Sequence, residues 1–228
     1  MYVPPHFEET DPAAVQDIIT SCPLATLVAQ TASGLVANHI PVIADGPAAL
    51  IGHVAAANDL HRMLTDQTEI LLIFNGQDSY VSPNWYPTKP RHHRHVPTWN
   101  YQVVHIHGRI VFVHDEKSKR AIVGRLTKHF ETETNGEKAW KMADAPADFM
   151  ADMLQNIVAF RIQIDLVSAK TKLGQNRELE DYENVTREFE SRGLIRLSSR
   201  MRALRSGQKP DAEWRRHGRR GQGWAADQ

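Results

Sequence analysis

Asparagine and histidine side chains interrupt two apolar segments in the first quarter of the chain. Asn38-His39-Ile40-Pro41 lies within one run of strand-forming residues, and Gly52-His53 lies within the next. Strands joined by a tight turn can place His39 and His53 at neighbouring positions of one sheet. Their ring nitrogens could bind a ligand on a pocket wall. Two histidines hydrogen-bonded to backbone at the sheet margin would produce the same pattern.

Aromatic residues concentrate in two short segments in the middle of the chain. Tyr80-Val81-Ser82-Pro83-Asn84-Trp85-Tyr86 and Pro97-Thr98-Trp99-Asn100-Tyr101 hold five of the ten Trp and Tyr residues within 22 positions. Such side chains join apolar area to a hydrogen-bonding tip, which suits an interface or a flat aromatic ligand. Pro, Asn and Ser at this density argue against a plain core strand, so a binding or dimer surface is the favoured interpretation.

A basic, amide-rich segment follows the last predicted strand. It reads Lys170-Thr171-Lys172-Leu173-Gly174-Gln175-Asn176. Ammonium and amide donors beside a glycine could hold a phosphate group. An ordinary solvated turn has the same composition, so both interpretations stay open.

The run Arg91-His92-His93-Arg94-His95 offers imidazoles that could bind a metal ion or haem. No Cys, Asp or Glu stands beside them in the sequence, and Lys89 and the flanking arginines repel a cation. We therefore expect a solvated loop and no metal site.

The elements that must position these residues are mostly strands. Alternation is clearest in residues 102–114, where every second residue from Val104 to Phe112 is apolar or glycine. Patterning and turn signals predict seven strands, at residues 24–30, 35–43, 48–55, 69–74, 79–82, 102–114 and 158–167. They predict helices at residues 12–21, after 58–59, at 115–130, at 148–156 and on both sides of Gly193. This order does not fit regular βαβ alternation. It predicts a mainly β fold, an antiparallel barrel or sandwich with helices packed outside, as one domain over residues 1–206.

The formal net charge of zero hides an uneven distribution. Residues 1–191 carry 17 Lys+Arg and 24 Asp+Glu, whereas residues 192–220 carry ten basic residues against Asp211 and Glu213. Any contact with DNA is therefore expected at the basic C-terminal region. The 207–228 tail is expected to be disordered. Bulky Phe189 and the absence of an apolar anchor at Ser198 argue against a helix-turn-helix.

Cellular context follows from features that the chain lacks. A single cysteine, Cys22, excludes an intrachain disulfide and suits a reducing compartment. No uninterrupted apolar run is long enough to span a membrane, and the acidic start does not resemble a signal peptide. We expect a soluble, cytoplasmic protein.

Several motifs occur in a fixed order from residue 1 to about 206. They are Met-Tyr-x-Pro-x-His-Phe at the start, Asn38-His39-Ile40-Pro41, Gly52-His53-Val54-Ala55 ending at Asn58, Tyr80 to Tyr86, Val96-Pro97-Thr98-Trp99-Asn100-Tyr101 and Lys172 to Asn176. Together they resemble the PaiB-type FMN-binding negative transcriptional regulators. Gly174 departs from the family pattern, which more often has serine there.

The resemblance implies a split β-barrel related to the pyridoxamine-phosphate oxidases, with C-terminal helices, that binds FMN between the subunits of a cytoplasmic homodimer. Carried over by position, the implied cofactor-binding residues are Asn38, His39, Pro41, His53, Asn58, Tyr80, Ser82, Trp85, Trp99, Asn100, His107, Lys172, Gln175 and Asn176. A flavin ring needs an aromatic or apolar floor and donors for its carbonyl oxygens, and its phosphate needs Lys, Arg or backbone N–H groups.

Three functions are compatible with these residues. The first is a flavin-binding repressor that binds DNA directly or through a partner. The second is a flavin-dependent oxidoreductase, which the absence of a nucleophile triad does not exclude because the flavin would carry the chemistry. The third is a haem-binding split-barrel protein, for which the histidine run is the only sequence feature.

Overall fold

The computed structural model describes residues 1–207, and the predicted tail lies outside this range from residue 208 onward. The described strands are β1 (Leu24–Thr31), β2 (Gly34–Ala44), β3 (Ala49–Ala55), β4 (Thr68–Val81), β5 (Thr98–Val113) and β6 (Ile157–Lys172). The described helices are α1 (Pro12–Ser21), α2 (Leu60–Met63), α3 (Lys89–His92), α4 (Glu116–Asn135), α5 (Ala147–Gln155), α6 (Leu179–Ser191) and α7 (Ile195–Ser206).

The six strands form an antiparallel ring in the order β1-β2-β3-β6-β5-β4. The predicted hairpin pairs β1 with β2 from Leu24↔Pro41 to Thr31↔Gly34, and β3 pairs with β6 from Ala49↔Gln163 to Ala55↔Ile157. The predicted class, a mainly β split barrel with peripheral and C-terminal helices, is confirmed.

Strand alternation places the barrel core as predicted. Along β5 the even-numbered residues from Val104 to Phe112 are all buried. Gly108 is required by close packing, because a Cβ atom there would lie 2.3 Å from the backbone oxygen of Gln163. The glycine therefore allows β6 to approach β5.

Three strands are longer than the sequence indicated, and β5 begins at Thr98 where the prediction began at residue 102. β4 runs unbroken through Asn75-Gly76-Gln77, which the sequence predicted to separate two strands. A Cβ atom at Gly76 would lie 3.0 Å from the Gln102 Cβ, so this glycine serves close strand packing and not a turn. β6 extends to Lys172, and the basic segment therefore begins inside the strand.

The described chain divides into two compact units. Unit 1 comprises Met1–Cys22, Phe74–His105 and 168–207, and unit 2 comprises Pro23–Ile73 and Ile106–Val167. Unit 1 has a core cluster around fully buried Phe189, Leu197 and Met201. In unit 2, Ile43 and Ile51 on the outer face of the strands pack against Leu126 of α4.

Helix boundaries follow local signals closely. Asp11 caps α1 by accepting a hydrogen bond from the Ala13 N–H, with Pro12 at the first helical position. Asp115 caps α4 in the same way, and the Ser118 N–H and hydroxyl hold the pKa of the Asp115 carboxyl below its usual range. Within residues 1–207, no helix combines the length and apolar character needed to cross a membrane.

Candidate functional site

Lys172, at the end of β6, is the most unusual predicted site residue of unit 1. Its ammonium donates to the Thr98 hydroxyl at 2.6 Å and to the Trp99 carbonyl oxygen, and it lies 5.9 Å from the Tyr101 ring centroid. Burial lowers the pKa of Lys172, and nearby Lys170 and Arg177 lower it further. Neither Lys172 nor Arg177 forms an ion pair with a carboxylate of the described chain. This cationic cluster suits an anionic ligand.

Asn100 and Lys172 line one small cavity of about 30 Å³. Arg177 and Tyr86 also line it, and the Arg177 guanidinium stacks 4.9 Å from the Tyr86 ring centroid. The cavity volume is that of one water molecule. A phosphate or a flavin would therefore bind at its mouth and not inside it.

The turn that follows β6 is held by its own side chains. The amide of Gln175 donates to the Thr171 carbonyl oxygen and accepts from the Leu173 N–H at 2.8 Å. Gly174 has φ +81°, a conformation that favours glycine. Gln175 thus positions the turn, while Asn176 is exposed beside it.

The four predicted aromatic-segment residues have separate roles. Tyr80 and Trp99 form an edge-to-face pair with centroids 6.1 Å apart, and both stay exposed, at 43% and 54%. Ser82 caps the following turn by accepting from the Asn84 N–H. Trp85 packs on Phe189 and under the Arg192 guanidinium, at 4.6 Å. Of these four residues, Tyr80 and Trp99 present exposed aromatic surface.

In unit 2, Asn38 and Asn58 are brought together. The Asn58 amide donates to the Asn38 Oδ1 at 2.8 Å, and the Asn58 Oδ1 accepts from the Leu60 N–H. The helix that follows, α2, has only four residues. The predicted N–H environment for a phosphate at Asn58 is therefore limited to a single turn, and the amide is already engaged.

His39, Pro41 and His53 occupy odd-numbered positions of β2 and β3, on the outer face of these strands. His39 is exposed and hydrogen-bonds the Thr26 hydroxyl of β1 at 3.1 Å. His53 lies one residue beyond the Val42↔Gly52 pair, and its Nδ1 is buried without a hydrogen-bond partner in residues 1–207. Burial lowers the pKa of the His53 imidazole. A neutral imidazole with a buried nitrogen that has no hydrogen-bond partner is suited to form a hydrogen bond with a ligand.

His107, also on the outer face, lies 3.9 Å from the Glu69 carboxylate of β4. The His107 side chain is 38% exposed and the Glu69 side chain 78% exposed, so this contact leaves the imidazole open to solvent. Sequence reasoning did not identify the carboxylate because strand register decides which residues are neighbours.

The histidine run departs from the predicted solvated loop at His95, whereas Arg91, His92, His93 and Arg94 are exposed. His95 is buried, with a side chain 5% exposed, and its Nε2 lies 2.7 Å from the Thr88 hydroxyl and 3.6 Å from Asp181 of α6. His92 faces Glu178 at 3.9 Å. Carboxylates absent from the local sequence thus stand beside these rings in space. The described residues contain no group of His, Cys, Asp and Glu arranged to hold a metal ion.

Arg177, Thr98, Thr88 and Asp181 are the residues that sequence reasoning missed. Arg177 follows Lys172 by five positions in an irregular segment, where no periodicity indicates which side chains meet. Thr88 and Asp181 are 93 residues apart, so only tertiary contact could reveal the pair.

Within residues 1–207, four of the five arginines of the basic C-terminal region form ion pairs with carboxylates. Arg196 pairs with Asp17 at 2.8 Å, and Arg200 pairs with buried Glu9 at 2.7 Å. The helix α7 is anchored by Leu197 and Met201, so the expected lack of an apolar anchor at Ser198 was a misreading. A recognition helix needs free basic side chains for the groove, and these ion pairs hold α7 arginines against the N-terminal segment instead.

Comparison with known proteins identifies relatives along most of the chain. The model of the family described as "Putative FMN-binding domain" matches residues 1–166. "Protease synthase and sporulation protein PAI 2" of Bacillus subtilis is 27% identical over 194 residues, covering 84% of this chain and 90% of that protein. An uncharacterized protein of Aspergillus fumigatus is 30% identical over 240 residues, covering 85% and 92% of the two chains.

Solved structures share the fold at low sequence identity. The flavocytochrome Anf3 from Azotobacter vinelandii superposes with a TM-score of 0.56 at 17% identity, covering 78% of this chain and 75% of that one. The FAD and heme binding protein from Mycobacterium smegmatis gives a TM-score of 0.55 at 18% identity, covering 78% and 79%.

Proposed function

This chain belongs to the family of FMN-binding domains, whose cofactor is FMN, and from that premise we propose that it is a homodimeric flavin-binding repressor. The observation that carries the proposal is the environment of Lys172. A half-buried ammonium beside two further cations, bonded only to neutral oxygens, is stabilised when an anion binds. The FMN phosphate is such an anion.

The residues present fit the flavin by their chemistry. In unit 1, Lys172 and Arg177 would hold the phosphate, and the exposed Tyr80–Trp99 pair would supply aromatic surface for the ring. When bound, FMN would supply one- and two-electron chemistry. The chain's own residues bind and orient it.

The flavin proposal is tested by absorbance and by titration of the apoprotein with FMN. We expect a flavin spectrum or uptake of added FMN, and Lys172→Gln should weaken FMN binding at least tenfold, because a charged hydrogen bond to phosphate is lost. Lys117→Gln, an exposed lysine of α4, is the matched control. Equal FMN affinity in both variants would remove Lys172 from the site.

The finer parts of the proposal need separate measurements. Light scattering after gel filtration should give a homodimer mass, which exposed apolar side chains such as Trp99 and Val96 support. A monomer at micromolar concentration would contradict the dimer. The motifs that resemble those of negative transcriptional regulators support a regulatory role over the oxidoreductase alternative. Steady consumption of NAD(P)H by the flavin-loaded protein would favour the oxidoreductase.

A further inference from the structure

None of the residues assigned to the flavin lines the groove between α6 and α7. It has a volume of about 490 Å³, within the range of small-molecule sites. Its lining residues come from one face of each helix: Tyr182, Glu183, Thr186 and Arg187 from α6, and Arg202, Arg205 and Ser206 from α7.

Two arginines of the groove differ from the other arginines of this region. Arg202 is bound to Glu190 through both guanidinium nitrogens, as Arg196 and Arg200 are bound to acids elsewhere. Arg187 instead donates to the neutral Asn184 amide at 3.1 Å, and Arg205 lies over the Tyr182 ring at 6.0 Å. Neither one forms an ion pair with a carboxylate within residues 1–207.

The floor of the groove offers no competing polar group. The Thr186 hydroxyl donates to the Tyr182 carbonyl oxygen, and the Tyr182 hydroxyl donates to the Met201 carbonyl oxygen at 2.7 Å. Burial raises the pKa of Tyr182 to about 12, so the phenol stays neutral and keeps its proton in this bond. A ligand would therefore meet apolar surface below and guanidinium groups at the rim.

We propose that the α6–α7 groove binds a phosphate group through Arg187 and Arg205, one guanidinium from each helix. Planar guanidinium forks match phosphate oxygens in pairs, and two of them from opposite walls can hold one phosphate. The phosphate belongs either to a free mononucleotide or to the backbone of nucleic acid. Glu183 is the one carboxylate among the lining residues, and it leaves the groove with a net positive charge.

The proposal is tested with the full chain and two probes, adenosine monophosphate by calorimetry and a fluorescent duplex by anisotropy. The variant is R187Q/R205Q. The control is R120Q/R196Q, which removes the same charge from two exposed arginines that are already paired with Glu116 and Asp17. Neither variant alters Lys172 and neither probe contains flavin, so failure here is distinct from failure of the flavin proposal.

We expect R187Q/R205Q to lose at least tenfold in affinity for one probe, while the control binds as the unmodified protein does. Loss for the monophosphate alone identifies a free ligand. Loss for the duplex, with the salt dependence of log K reduced by about 2, identifies the nucleic-acid backbone. If neither probe binds the unmodified protein, or if both variants bind alike, the site proposal is overturned.

Discussion

Thr88 lies fully buried under the start of α6, where one hydroxyl serves two partners. It donates to the Asp181 Oδ2 at 2.8 Å, so it must accept the bond from His95 Nε2 at 2.7 Å. The Thr88 N–H donates to the Asp181 Oδ1 at 3.1 Å. His95 is consequently the tautomer protonated at Nε2, with a buried Nδ1 that has no partner within residues 1–207.

Thr88→Val keeps the shape of this side chain and deletes only the hydroxyl. The buried Asp181 carboxylate then loses a charged hydrogen bond, which costs about 1.5–3 kcal/mol. The His95 N–H loses its acceptor in a buried position, at a cost of about 1–3 kcal/mol. We expect the free energy of unfolding to fall by about 3–5 kcal/mol, since both losses occur away from water.

Urea denaturation followed by fluorescence measures this change, with an unchanged m value as the sign that only stability has altered. Thr88→Ser is the matched control, because it keeps the hydroxyl and removes one methyl group, at about 1 kcal/mol. If Thr88→Val and Thr88→Ser are equally stable, the hydroxyl does not hold the network and the tautomer assignment fails with it.

Two further predictions test the barrel. Because burial lowers the pKa of His53, the unfolded chain binds the proton first as pH falls below about 6.5, and the free energy of unfolding declines there. Urea denaturation at pH 7.5 and 5.5 should show a smaller decline for His53→Gln than for the unmodified protein. An equal decline in the two proteins would contradict the burial argument. Gly108→Ala should lower the free energy of unfolding by more than about 3 kcal/mol, because its Cβ would meet the Gln163 backbone. Gly124→Ala, within α4, should raise it by about 0.5–1 kcal/mol, because the nearest atom to its Cβ would be 3.5 Å away. Thermal unfolding compares the two, and a stable Gly108→Ala protein would mean that β5 and β6 are not in close contact.

Local sequence signals predicted the secondary-structure elements well, but they predicted poorly which side chains from distant segments contact each other. The Asp11-Pro12 cap and the hairpin between β1 and β2 depend on neighbouring residues, so the sequence was sufficient for both. Gly76 was misread because glycine serves both turns and close packing, and the identity of the opposing strand decides between them. For the same reason, the sequence did not indicate that Asp181 lies beside His95 of the histidine run.

The sequence alone determined the fold class, the family and the composition of the candidate flavin site, since these depend on alternation and on motifs within short segments. Tertiary structure alone decided which candidates are free to bind. It engaged Gln175, Ser82 and Trp85 in local structure and paired His107 with Glu69. It placed the Lys172 ammonium near two other cations, Lys170 and Arg177. It also paired Arg196 and Arg200 with acids from the first 17 residues, because charges distant in sequence find each other only when the chain folds.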